Sequence, residues 1–277
     1  MRGLEAQRFS HDLRTAVNAM EHAAYAACAV AAAALVYRYD LYDREPWYAV
    51  LATAAAGALA MRLLGVVEDP AIARLAGGGG SLAAAAFVAA SFEEAARLLI
   101  VATLALVVPR IFNDPMDGLV YGSIAGIGMA VEESFALLDH QGAGASIAIV
   151  DLVRLSGHLV FGGITGFGVG SIRRPGTRAG RWMLPLAACA GIAILLHFLW
   201  DVAALARESS GGVSRWPAVA ASAVMFAGMV IYAWLATTAA GWSRLAFAPE
   251  STRTLWGWPF DWVVKRRRAG GARHGPS

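Results

Sequence analysis

Apolar residues fill the chain in long unbroken runs, each closed by a short polar or glycine- and proline-bearing stretch. Runs of about 20 residues match helices sized to a ~30 Å hydrocarbon layer. The first is predicted at Val17 to Tyr37, with Glu21 and His22 in its first turn, where they reach the interface. Arg38 to Pro46 forms a charged turn, and Pro46-Trp47-Tyr48 opens a second run to Val67 that Glu68-Asp69-Pro70 should end. After a Gly77 to Gly80 connector the third run extends from Leu82 to Val108. Asn113-Asp114-Pro115 is a helix-start signal, since an Asp caps and a proline suits the first position, and it leads into the fourth run, Asp117 to Leu138. The fifth (Ile147 to Ser171), sixth (Trp182 to Ala206) and seventh (Trp216 to Ala240) follow. The pattern predicts an all-α fold: a polytopic transmembrane helix bundle of seven to eight spans over residues 17–244, between a polar segment 1–16 and an amphipathic, basic tail 245–277.

The pattern is broken most sharply inside the third run, where Glu93, Glu94 and Arg97 interrupt apolar sequence. A charge at bilayer depth costs at least ~2.5 kcal/mol, so three together require partners or a function. Later runs supply candidates: Glu133 on the fourth, Arg154 and His158 on the fifth, His197 and Asp201 on the sixth. Glu93 and Arg97, Arg154 and His158, and His197 and Asp201 are each four residues apart, so each pair shares a helix face. Gly118, Gly122 and Gly126, and the Gly162 to Gly166 stretch, form small-residue faces that admit close helix packing. Glu132, near a run's end, is expected to meet water.

Composition agrees with a membrane protein. Hydrophobic residues make up 58% and charged residues 16% of the chain, against about 25% charged in soluble domains. The net charge of +3 does not indicate nucleic-acid binding, because the basic residues sit in loops and in the tail. Arg2, Arg8, Arg14, Arg74, Arg207 and Arg215 fall on one side of a seven-span bundle. The Arg173 to Arg181 loop, Arg38, Arg44, Arg110, Arg244, Arg253 and the Lys265-Arg266-Arg267-Arg268 run fall on the other, which predicts a cytoplasmic C-terminus. Trp256, Trp258, Phe260 and Trp262 beside that basic run suit an anionic lipid surface. Cys28 and Cys189 lie in apolar runs at a spacing that suits neither a metal site nor a disulfide framework.

The polar set suits hydrolysis: imidazoles and a carboxylate hold a water, with or without Zn²⁺, while a second carboxylate moves its proton. The expected assignment makes Glu94 the catalytic or ligand acid and His158 and His197 the imidazoles. Asp201 is then the partner of His197, and Glu93 with Arg97 is a supporting ion pair. Glu94, His158 and His197 are the expected metal ligands. Adjacent glutamates point about 100° apart on a helix, so they can have different jobs, and which of the two takes which stays open.

In order and spacing, Glu93-Glu94-Ala95-Ala96-Arg97, Asp117-Gly118-Leu119-Val120-Tyr121-Gly122 through Glu133-Ser134, His158 and His197-Phe198-Leu199-Trp200-Asp201 resemble the PrsW family of intramembrane proteases. That family is distantly akin to the CAAX prenyl-protease and bacteriocin-processing family. Arg97 stands where the family has Lys, Ser134 where it has Asn, and Glu132 is an additional acid. The resemblance implies a protease of the bacterial plasma membrane acting on a membrane-protein substrate such as an anti-sigma factor, with the glutamates and histidines essential. Two other classes fit the same polar belt: a proton-coupled transporter or channel, which predicts inverted repeats not evident here, and a non-catalytic membrane scaffold or immunity protein.

Overall fold

The computed structural model describes residues 2–77, 81–141, 149–174, 180–181, 183–209 and 215–251. They form α1 (Arg2–Tyr39), α2 (Trp47–Gly77), α3 (Leu82–Val107), α4 (Pro115–Gln141), α5 (Ile149–Gly170), α6 (Met183–Ser209) and α7 (Trp216–Phe247), with a 3-10 turn at Ser171–Arg173. No strand occurs among the described residues. The tail aromatic cluster and basic run expected to meet anionic lipid lie outside them.

Local chemistry sets several boundaries. Ser81 caps α3, its Oγ accepting from Ala84 N at 3.2 Å. At α4 the capping is reciprocal: Asp114 Oδ1 accepts from Met116 N and Asp117 N, while Asp117 Oδ2 accepts from Asn113 N and Asp114 N. Residues 2–16 of the polar segment are helical and continuous with the first apolar run in α1. One expectation changes. Glu68-Asp69-Pro70 does not end the second helix, because Pro70 removes one backbone donor without stopping α2, which runs on to Gly77.

Five of the helices are long and apolar enough to cross a membrane: Val17–Tyr39, Trp47–Leu75, Asp151–Arg173, Met183–Arg207 and Trp216–Phe247. The expected count of seven includes α3 and α4, which have spanning length but not the composition. The three charges of α3 and the glycines of α4 lower their apolarity. Position matches composition in the first part of α4, where every residue from Asp114 to Ala130 is buried and so faces protein. The most apolar window of α5 is 72% buried, against 22% for α6 and 17% for α1, α2 and α7, so α4 and α5 form the axis and the others lie around them.

The α4–α5 pair packs backbone against backbone. A Cβ on Gly118 would stand 2.2 Å from Gly166 O, and one on Gly122 2.1 Å from Gly162 O. The two small-residue faces expected from the sequence therefore meet. Around them, Tyr25, Leu119, Ile124, Phe161, Ile164 and Leu235 belong to the main apolar core.

Where the α1–α2 loop packs on the start of α4, Asp40, Glu45, Asp114 and Asp117 are all buried. Tyr121 donates to Glu45 Oε2, and Glu45 N donates to Asp40 Oδ2 at 3.2 Å. Burial, reinforced by Glu45 and Asp114, pushes the Asp40 carboxyl up to about 8. Burial also raises Glu45.

Candidate active site

The three charges of α3 point inward. Glu93, Glu94 and Arg97 are 5%, 1% and 0% exposed, and His158 and His197 are 4% and 3% exposed. Helical spacing explains the first step of the assembly, because Arg97 is one turn beyond both glutamates and reaches each. Its NH2 donates to Glu93 Oε2 at 2.9 Å, and its NH1 donates to Glu94 Oε1. One cation between two buried carboxylates leaves an excess of negative charge, and the neighbouring helices answer it with imidazoles.

From α5, His158 Nδ1 lies 2.6 Å from Arg97 NH2 and 3.7 Å from Glu93 Oε2. A guanidinium only donates, so the geometry makes Nδ1 the acceptor and leaves the proton of a neutral ring on Nε2. That nitrogen is 2.9 Å from Glu133 Oε2 on α4. Arg154 holds Glu133 in turn, with Nε 3.2 Å from Oε1, and its NH1 donates to Asp151 Oδ1 at 2.8 Å. From α6, His197 presents Nδ1 to Glu94 Oε1 at 3.1 Å, with Arg97 NH1 3.3 Å from the same nitrogen, and Nε2 toward Glu93 Oε2 at 3.8 Å. Phe161 covers the His197 ring with centroids 5.4 Å apart, and the two imidazole centroids are 5.7 Å apart. Asp201 sits at the edge, Oδ2 3.7 Å from His197 Nε2.

Glu93, Glu94, Arg97, His158 and His197 thus come together, with Glu133 and Arg154 flanking His158 and Asp201 flanking His197. Glu132 faces away and meets Arg62 of α2 at 2.8 Å, beside solvent, as expected. The sequence expectation separated the two glutamates, giving Glu93 to Arg97 and Glu94 to the metal. In the structure Arg97 binds both, and the buried donors lying within 4.8 Å of one another belong to Glu93, His158 and His197. Glu94 Oε1 is instead engaged by Arg97 and His197, and its Oε2 accepts from Thr165 Oγ1 at 2.7 Å.

Thr165 was not singled out from the sequence, nor was Phe161. Thr165 lies among Gly162, Gly163 and Gly166, where it reads as one more small packing residue. Its signal was the seven-residue distance from His158, two helical turns, which places both side chains on one face of α5.

Two imidazoles and one carboxylate form a donor set that suits Zn²⁺, and nitrogen-to-oxygen separations of 3.7 and 3.8 Å leave room for one ion between them. The nitrogen of each ring turned away from that space lies beside a carboxylate, Glu133 for His158 and Glu94 for His197, the arrangement that orients metal-binding histidines. The set therefore fits a metal, with Arg97 NH2 the group that must withdraw from His158 Nδ1.

A bundle with five membrane-length apolar helices and two imidazoles and a carboxylate closed inside it has the make-up of an integral-membrane protein with a candidate metal site. The family model for PrsW family intramembrane metalloproteases matches residues 45–236, a stretch that contains every residue of the site, and the chain belongs to that family. No curated protein and no solved structure matches it.

Proposed function

We propose that this protein hydrolyses a peptide bond of a membrane-embedded or membrane-adjacent protein, of the anti-sigma-factor kind, in a bacterial plasma membrane. The observation that carries the reading is the convergence of Glu93, His158 and His197, donors from three helices lying within 4.8 Å of one another and buried. In this reading α3 and α4 also cross the membrane, their polar residues turned into the bundle, and the positive-inside rule puts the C-terminus in the cytoplasm.

The chemistry follows from what each residue can hold. The Glu93 carboxylate faces both imidazoles, where a water fits. It takes the proton of that water as the oxygen attacks the peptide carbonyl, then returns it to the departing amine. The nitrogens that face this space, His158 Nδ1 and His197 Nε2, carry no proton in the neutral rings, so they orient the water by accepting its second hydrogen. The Arg97 guanidinium has no readily transferable proton, so it anchors the Glu93 and Glu94 carboxylates without entering proton transfer. If Zn²⁺ occupies this space instead, Glu93, His158 and His197 would be its ligands and Glu93 would no longer be free to act as the base; the ion when bound lowers the pKa of a water and polarises the scissile carbonyl.

The test is cleavage of a tagged single-span substrate by the purified chain in proteoliposomes. Wild type is expected to release two fragments, and Glu93→Gln and His158→Ala to release none while melting as wild type does. Intact substrate with wild type, or cleavage undiminished in Glu93→Gln, overturns the proposal. A proton flux lost in Glu93→Gln would instead identify a transporter.

A further inference from the structure

We propose that Thr165 is a positioning residue for this site, acting through Glu94 on His197; the proposal rests on the protease reading above. The Thr165 side chain is fully buried, and its hydroxyl donates across to α3, to Glu94 Oε2 at 2.7 Å. That is not the usual fate of a helical threonine. Thr53, Thr237 and Thr238 of this protein each turn the hydroxyl back to the carbonyl four residues earlier, at 2.8, 2.8 and 2.9 Å. Thr165 instead turns its hydroxyl to a carboxylate.

The consequence is geometric. With Oε2 held by Thr165 and Oε1 by Arg97, the Glu94 carboxylate cannot rotate, and Oε1 stays 3.1 Å from His197 Nδ1. Holding Nδ1 fixes the plane of the ring, so Nε2 is turned toward Glu93 Oε2. The other histidine has a parallel support in Arg154 and Glu133. Both supporting donors belong to α5, so the helix that carries His158 also sets His197. Without the Thr165 hydroxyl, Oε2 becomes a buried charged oxygen with no donor, and Glu94 swings toward Arg97 to recover one.

Thr165→Val removes the hydroxyl while keeping the branched shape, and Thr165→Ser keeps the hydroxyl. In the proteoliposome assay Thr165→Val is expected to lower kcat about 10- to 100-fold with KM unchanged, the usual effect of losing a group that orients such a histidine, and Thr165→Ser to restore most of it. A readout independent of cleavage is the ¹⁵N NMR signature of the His197 ring in bilayers, expected to show one tautomer in wild type and Thr165→Ser and a mixture in Thr165→Val. Thr165→Val within twofold of wild type, Thr165→Ser as impaired as Thr165→Val, or an unchanged His197 signature in Thr165→Val would each overturn the proposal. If wild type itself fails to cleave, the protease reading falls, and the ring signature still decides whether Thr165 sets His197.

Discussion

Gly126→Ala is the smallest change that should disable the site from outside it. The Cβ it adds would lie 2.0 Å from His158 O and 2.6 Å from His158 C, whereas ordinary contact begins at 3.4 Å. The obstacle is backbone on a central helix, so no side chain can rotate away. Since close-packed helices yield as bodies, α5 must withdraw from α4 by about 1.4 Å at this point. Overpacking of this kind costs about 1–3 kcal/mol. The larger effect falls on chemistry, because His158 is held by contacts of 2.6 Å to Arg97 and 2.9 Å to Glu133, which do not survive such a shift. A misplacement of about 1 Å lowers a rate by about 10²-fold. The assay is cleavage in proteoliposomes, with thermal unfolding measured on the same preparation. Gly191→Ala, on α6 with nothing within 4 Å of the added carbon, is the control and should cleave normally. A Gly126→Ala enzyme as fast as wild type would refute the link between glycine packing and the placement of His158.

Other outcomes are expected. Arg97→Met should destabilise the bundle by about 3–5 kcal/mol, because it leaves two buried glutamates without their cation. Arg97→Lys, a single point charge, should recover only part of that in chemical denaturation. Glu132→Gln should leave unfolding unchanged within about 0.5 kcal/mol, since its partner Arg62 is 75% exposed and screened by solvent. With its carboxyl raised to about 8, folded Asp40 keeps a proton that the unfolded chain releases near its ordinary value of 3.8. Stability should therefore fall as pH rises from about 4 to about 8. Asp40→Asn should flatten that dependence in melting curves taken across the range, and an unchanged slope would argue against a protonated Asp40.

Much of this was legible in the sequence because lipid makes polarity conspicuous. Glu93, Glu94, Arg97, His158 and His197 stood out as charges and imidazoles inside apolar runs, and i, i+4 spacing already paired them on helix faces. The glycine repeats of α4 and α5 likewise announced a close contact that the structure contains. What remained illegible depended on neighbours. Which glutamate faces the imidazoles is set by the rotation of α3 against α5 and α6, and no local pattern encodes that angle. Thr165 was concealed because a hydroxyl among glycines has no hydropathy signature; only its partner on another helix gives it a task. The apolar runs also hid the difference between the more exposed helices and the stretch Asp114 to Ala130 at the start of α4, which is buried throughout.

In the proposed mechanism Glu93, His158 and His197 work as one water-activating centre. This is tested most directly by comparing cleavage rates of Glu93→Gln, His158→Ala, His197→Ala and the triple variant in the same proteoliposomes. Groups acting as a unit are grossly non-additive. Each single variant is therefore predicted to be nearly as inactive as the triple. Losses that multiply independently from one variant to the next, or a triple variant that still cleaves at a substantial rate, would contradict the account.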